Sequence, residues 1–164
     1  MNTVRPCLLA AVDLDRRAAG VIRRAARLAQ SADLVLVVVH VVEHETGFES
    51  DHVPFLSPAQ LRGAMAQTAH ERLQRLLQKM NLPQAECVVL AGALREGLAD
   101  LVQQRRARYV VTGPLKWGAV SRLATLAADT RLQAAGCDVL HAGNDDHWSV
   151  RLARWWSGVG VSQP

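Results

Sequence analysis

The chain has 164 residues, nearly half of them hydrophobic. It is long enough for one well-buried core, too short for two comfortable domains, and too apolar to be disordered throughout. Its formal charge of +4 comes mainly from arginines. That permits an acidic partner, but no aromatic residue interleaves Arg16, Arg17, Arg23, Arg24 and Arg27 to stack on bases, so these read as a solvated helix face and no nucleic-acid partner is expected.

The opening strand is "PCLLAAVD", Pro6 to Asp13. It is too short for a signal-peptide core and runs straight into acids. A helix follows, with Asp15 as its N-cap, and Val21, Ile22, Ala25, Leu28 and Ala29 recur on one face. The next strand, "DLVLVVVHVVE", contains the longest apolar run. That run covers only a third to a half of a bilayer, so no transmembrane segment is expected, and its β-branched residues suit a strand buried on both faces. His40 within it reads as a hydrogen-bonded core histidine rather than a catalyst.

A polar loop runs from Glu43 to about Leu56. Its segment "EHETGFESDH" holds two histidines and several carboxylates without fixed spacing, so it reads as a solvated loop and no metal site is expected. Ser57, Pro58 and Gln60 then spell a helix start with a capping box. Leu61, Met65, Ala69, Leu73, Leu76, Leu77 and Met80 form the predicted buried stripe of this helix, which ends at Asn81 and Pro83. "AECVVLAG" is a third strand, Leu94 to Val102 a short helix, and "ARYVVTG" a fourth strand. Val120, Leu123, Ala127, Arg131 and Ala134 outline the last core helix, and "CDVLHAG" is the fifth strand. Cys7, Cys87 and Cys137 lie in or beside strands without metal-ligand spacing. They read as small buried thiols in a reducing compartment, so the cytoplasm is the expected location.

Strand and helix alternate throughout, which predicts a single α/β domain of the doubly wound class, a parallel sheet covered on both faces. Ligands in such sheets sit beyond the carboxyl ends of the strands. Asp13 and Gly113 stand at two of those ends. No nucleophile elbow, metal-protease helix, paired-cysteine motif or phosphate-binding loop is present, and no catalytic residue is predicted.

With "AVDLD", "VVHVVE" and "ARYVVTG" in this order, the chain from Thr3 to Gly143 resembles the universal stress protein family. The resemblance implies strand order 3-2-1-4-5 and a homodimer formed through the last strand, here Val139, Leu140, His141 and Ala142. It also implies one of two subclasses. ATP-binding members carry Gly, two residues, Gly, nine residues, then Gly-Ser or Gly-Thr after the fourth strand; A-type members lack this motif and do not retain ATP.

Counted from Gly113, the second glycine falls on Lys116 and the final pair on Leu126 and Ala127. Counted back from Cys137, the pair falls on Thr125 and Leu126. The spacing survives and the chemistry does not. Pro114 removes an N–H donor, Lys116 and Trp117 add bulk, and Leu126 has no hydroxyl for a phosphate. At the adenine end, Asp13 and Val41 match family positions, although Asp13 also suits a turn cap and Val41 suits any buried strand. The sequence therefore favours a non-catalytic regulatory or interaction module with no retained cofactor. The alternative is an ATP or AMP sensor using Asp13, Val41 and Gly113, with Lys116 and Thr125 beside them.

The first domain is expected to end at residue 143. The tail, 144–164, includes "HWSVRLARWWSG", whose tryptophans and arginines suit packing on its own domain, a protein partner or a membrane surface.

Overall fold

In a computed structural model, the described residues are 5–42, 57–113 and 130–142. Their elements in chain order are β1 (Cys7–Ala11), α1 (Ala18–Ser31), β2 (Val35–Val42), α2 (Pro58–Lys79), β3 (Glu86–Ala91), α3 (Leu94–Arg105), β4 (Ala107–Thr112), α4 (Thr130–Ala134) and β5 (Asp138–His141). The five strands form one parallel sheet in the order β3-β2-β1-β4-β5, as expected.

β1 lies at the centre and every one of its residues is buried. Its alternation splits the core into two layers. Cys7, Leu9 and Ala11 face Leu98, Val102 and Leu132 from α3 and α4. Leu8, Ala10 and Val12 face Ile22, Ala25 and Leu28 of α1 and Leu73 and Leu77 of α2. This two-sided burial is why the inner strands carry unbroken apolar runs instead of alternating with polar residues.

Helix starts differ in how well the sequence marks them. Ser57 caps α2 as predicted: its hydroxyl accepts from the Gln60 N–H at 3.2 Å, and its own N–H donates to Gln60 Oε1 at 2.8 Å. At α1 the helix begins at Ala18 rather than just after Asp15. The Asp15 carboxylate accepts the Arg17 N–H at 2.8 Å and its carbonyl accepts from Ala18 at 3.2 Å. Asp15 therefore holds a turn leading into the helix. α2 ends on schedule, with Asn81 in the left-handed region at φ 55°, a conformation asparagine tolerates better than most residues.

The predicted stripe of α2 is corrected in its first half. Ala69, Leu73 and Leu77 are buried, but Met65 is 45% exposed and Leu61 is only half-buried. Helical spacing fixes which residues share a face and not what covers that face, so in the first three turns apolar spacing does not translate into burial. Most of the predicted last helix and the whole tail lie outside the described residues.

A bidentate ion pair ties two crossover ends together. Arg105 at the end of α3 donates from Nη1 to Glu86 Oε2 at 2.9 Å and from Nη2 to Glu86 Oε1 at the start of β3. Both partners are partly solvated, so the pair orients the crossover more than it stabilises it.

The contrast along α2 gives a direct test. Leu73→Ala is expected to destabilise the fold by about 2–5 kcal/mol in urea unfolding, as buried leucine truncations do. Met65→Ala on the same helix is expected to change stability by less than about 0.5 kcal/mol.

Candidate functional site at the carboxyl ends of the strands

The sheet order reverses beside β1. The crossovers through α1 and α2 move outward to β2 and β3, and that through α3 returns across the sheet to β4. The crevice between the carboxyl ends of β1 and β4 is therefore the topological switch point. Backbone register determines what meets there. β1 pairs Ala11 with Val39 and, on its other side, Ala10 with Val111. Continued past the last pairs, the same offsets bring Asp13 level with Val41 and Val12 level with Gly113. Three of the predicted site residues thus share one end of the sheet. Lys116 and Thr125 lie outside the described residues, as do Pro114, Trp117 and Leu126.

Each of the three sits differently. Val41 is buried in the layer that faces α3 and α4. Asp13 is half-buried just beyond β1. Gly113 follows β4 and lies against α1, where a Cβ would meet Val21 Cγ2 at an ordinary 3.7 Å. Its φ is outside the left-handed region that favours glycine. Neither backbone conformation nor crowding by the described residues thus requires glycine at 113.

Two polar contacts brace this end of the sheet. His40 is half-buried on β2, with Nδ1 2.8 Å from the Val12 carbonyl oxygen. The ring donates there, which fixes the proton on Nδ1 and agrees with the structural role read from sequence. Thr112 is fully buried, and its Oγ1 lies 2.8 Å from His141 Nδ1 on β5. Sequence reasoning missed this second pair. The signal was present: threonine and histidine stand at the last positions of β4 and β5, and the strands pair Thr112 with His141. The contact couples the switch-point strand β4 to the edge strand β5.

Three of the expected edge residues are placed on that strand, and Ala142 directly follows it. Val139, Leu140 and His141 are half-buried, whereas Ala142 is buried in its own core and donates its N–H to the Thr112 carbonyl at 2.8 Å. Among the described residues no cluster of histidine, cysteine and carboxylate side chains is arranged to hold a metal, and no helix is long and apolar enough to cross a membrane.

The sequence profile of the universal stress protein family matches residues 7–142. The chain belongs to the universal stress protein family. A curated relative, universal stress protein A homolog 1 of Coxiella burnetii, is 29% identical over 133 residues, covering 81% of this chain and 92% of that protein. Among solved structures, a universal stress protein family member from Burkholderia pseudomallei superposes with a TM-score of 0.54 at 21% identity, covering 86% of this chain and 98% of the other. The universal stress protein from Archaeoglobus fulgidus, solved in complex with dAMP, gives a TM-score of 0.54 at 19% identity, with 85% and 98% covered.

The three cysteines are all unpaired. Cys7 and Cys137 are buried as predicted, while Cys87 is only half-buried on the edge strand β3, its Sγ 3.5 Å from His70 Nδ1. Burial pushes the Cys137 thiol from an ordinary 9.0 up to about 12, with the Asp138 carboxylate and the Cys7 thiol adding to the effect. Once unfolded, the thiol ionises first. Its contribution to stability is therefore complete below about pH 9 and is lost as pH rises from there toward 12. Urea midpoints should consequently fall more steeply with pH above 9 in the native sequence than in Cys137→Ala. Equal slopes would contradict the assignment.

Proposed function

We propose that this universal stress protein is a homodimeric, non-catalytic regulatory or interaction module of the A-type, which does not retain ATP. The observation that carries the proposal is the chemistry of the segment after β4, at unchanged length. Anion binding by backbone needs free N–H groups and close approach. Proline stands at 114 and lysine where the second glycine belongs, and leucine and alanine or threonine and leucine replace the final pair. The strand order of the switch point persists while the later glycines of the motif, which would let backbone N–H groups hydrogen-bond a polyphosphate, are replaced in the sequence.

A second reading is favoured by Gly113. The described fold does not require a glycine there, so its presence suits close approach by a ligand, and a family relative is known in complex with dAMP. On that reading the chain holds ATP or AMP through Asp13, Val41 and Gly113. The two readings separate in one experiment. Natively purified protein, denatured and filtered, is expected to release no stoichiometric adenine nucleotide, and millimolar ATP with Mg²⁺ is expected to leave the melting temperature within about a degree. A rise of several degrees, the linkage signature of a bound ligand, would favour the sensor.

Dimerisation is assigned to β5. It is an edge strand paired on one side by β4, with half-buried Val139, Leu140 and His141, and an unpaired edge invites a second chain. The cytoplasm suits the unpaired thiols. The 144–164 tail is taken as an element added to the 1–143 domain and as a place for a protein partner. In size-exclusion with light scattering, Leu140→Pro should give a monomer or no soluble protein, because it deletes a ladder donor. Truncation after Asn144 should lower solubility or shift the association state. An unchanged dimer from Leu140→Pro would remove the β5 assignment.

A further inference from the structure

Helices α1 and α2 cover the same face of the sheet without closing over it at the amino ends of the strands. Between the C-terminal half of α1 and the turn from α2 into β3 lies a groove of about 840 Å³. Leu34, Leu36 and Met80 are part of its lining and are only half-buried. All three pack partly against the core layer beneath α1 and α2 and leave the rest of their aliphatic surface facing the groove.

The charged lining has one sign. Arg5, Arg23, Arg27 and Lys79 border the groove, and none of its described lining residues is acidic. None of these four cations forms an ion pair among the described residues. By contrast, the neighbouring Arg17 pairs with Asp15 at 3.8 Å. Lys79 also borders an adjoining hollow of about 300 Å³ whose lining is mixed in charge, with Arg72, Arg75 and Asp15, and there Arg75 pairs with Glu71 at 3.8 Å.

We propose that this groove docks an acidic amphipathic segment of a partner protein, its apolar side chains on Leu34, Leu36 and Met80 and its carboxylates against the four cations. Charge complementarity sets the sign of the partner and the aliphatic floor sets its apolar face. Met80 is suited to accommodate varied anchors. A nucleic acid fits less well, because none of the described lining residues is aromatic to stack on a base. A membrane fits less well, because the apolar surface is concave and a bilayer binder presents it outward. The chain's own tail, 144–164, has no acidic excess, since Arg151 and Arg154 balance Asp145 and Asp146. The groove lies at the opposite end of the sheet from Asp13 and Gly113, so the assignment holds whether or not the chain binds a nucleotide.

Selection of displayed random peptides on the full chain tests it. Enriched sequences should be rich in Asp and Glu, with apolar residues at helical i, i+3 and i+4 spacing. A synthetic version of the leading peptide should bind about tenfold or more weakly to Arg23→Glu/Arg27→Glu, whose circular dichroism and melting temperature should match the native chain because both side chains are exposed. The equally charged control Arg62→Glu/Arg95→Glu should bind it as the native chain does. Enriched peptides without an acidic excess, or equal affinity for both double variants, would overturn the proposal. So would displacement of the peptide by single-stranded DNA or phosphatidylserine vesicles at concentrations below that of competing peptide.

Discussion

The structure depends on the complete burial of β1 between two strands and two helical layers. A strand with no solvent-facing side must be apolar throughout its length, and polar residues can return only where it leaves the sheet. Asp13 stands just beyond that exit. The same constraint holds β2 and β4 in fixed register on either side, so Val41 and Gly113 arrive level with the end of β1 without needing contacts of their own. Core packing thus positions the candidate site, which explains how a relative can keep the platform while its ligand chemistry changes.

That separation bears on function. Holding an adenosine and holding its phosphates are different physical tasks. The first asks for a shaped apolar wall and one or two polar groups, and strand residues such as Val41 and Asp13 can supply them. The second asks for several unobstructed amides converging on one anion. Proline has no amide hydrogen, and a single flexible lysine supplies charge without shape. In the sequence, the departures from the family's glycine motif fall after β4, at Pro114, Lys116, Trp117 and Leu126, while Asp13 and Val41 still stand at the strand ends.

Much of the fold was legible in the sequence. Strand and helix alternation gave the class, the β-branched run of β2 marked an inner strand, and Ser57 with Gln60 marked the start of α2 through a capping box that forms as read. The strand order came from the family resemblance rather than from periodicity. The failures share a cause: periodicity reports a helix face, and what covers that face depends on distant parts of the chain. Met65 fits the α2 stripe by spacing and is nonetheless exposed. Arg23 and Arg27 are exposed, as the solvated-face reading expects, and the folded chain adds that they flank a groove with Arg5 and Lys79. The Thr112–His141 contact joins residues 29 positions apart, and it required the pairing of β4 with β5 to be known.

Crystallisation in millimolar ATP with Mg²⁺ tests the account most directly at the point where it commits. If the segment after β4 has lost its cradle, the map will show no ordered triphosphate against Gly113 or the backbone that follows it. An ordered triphosphate coordinated there by main-chain amides would contradict the account.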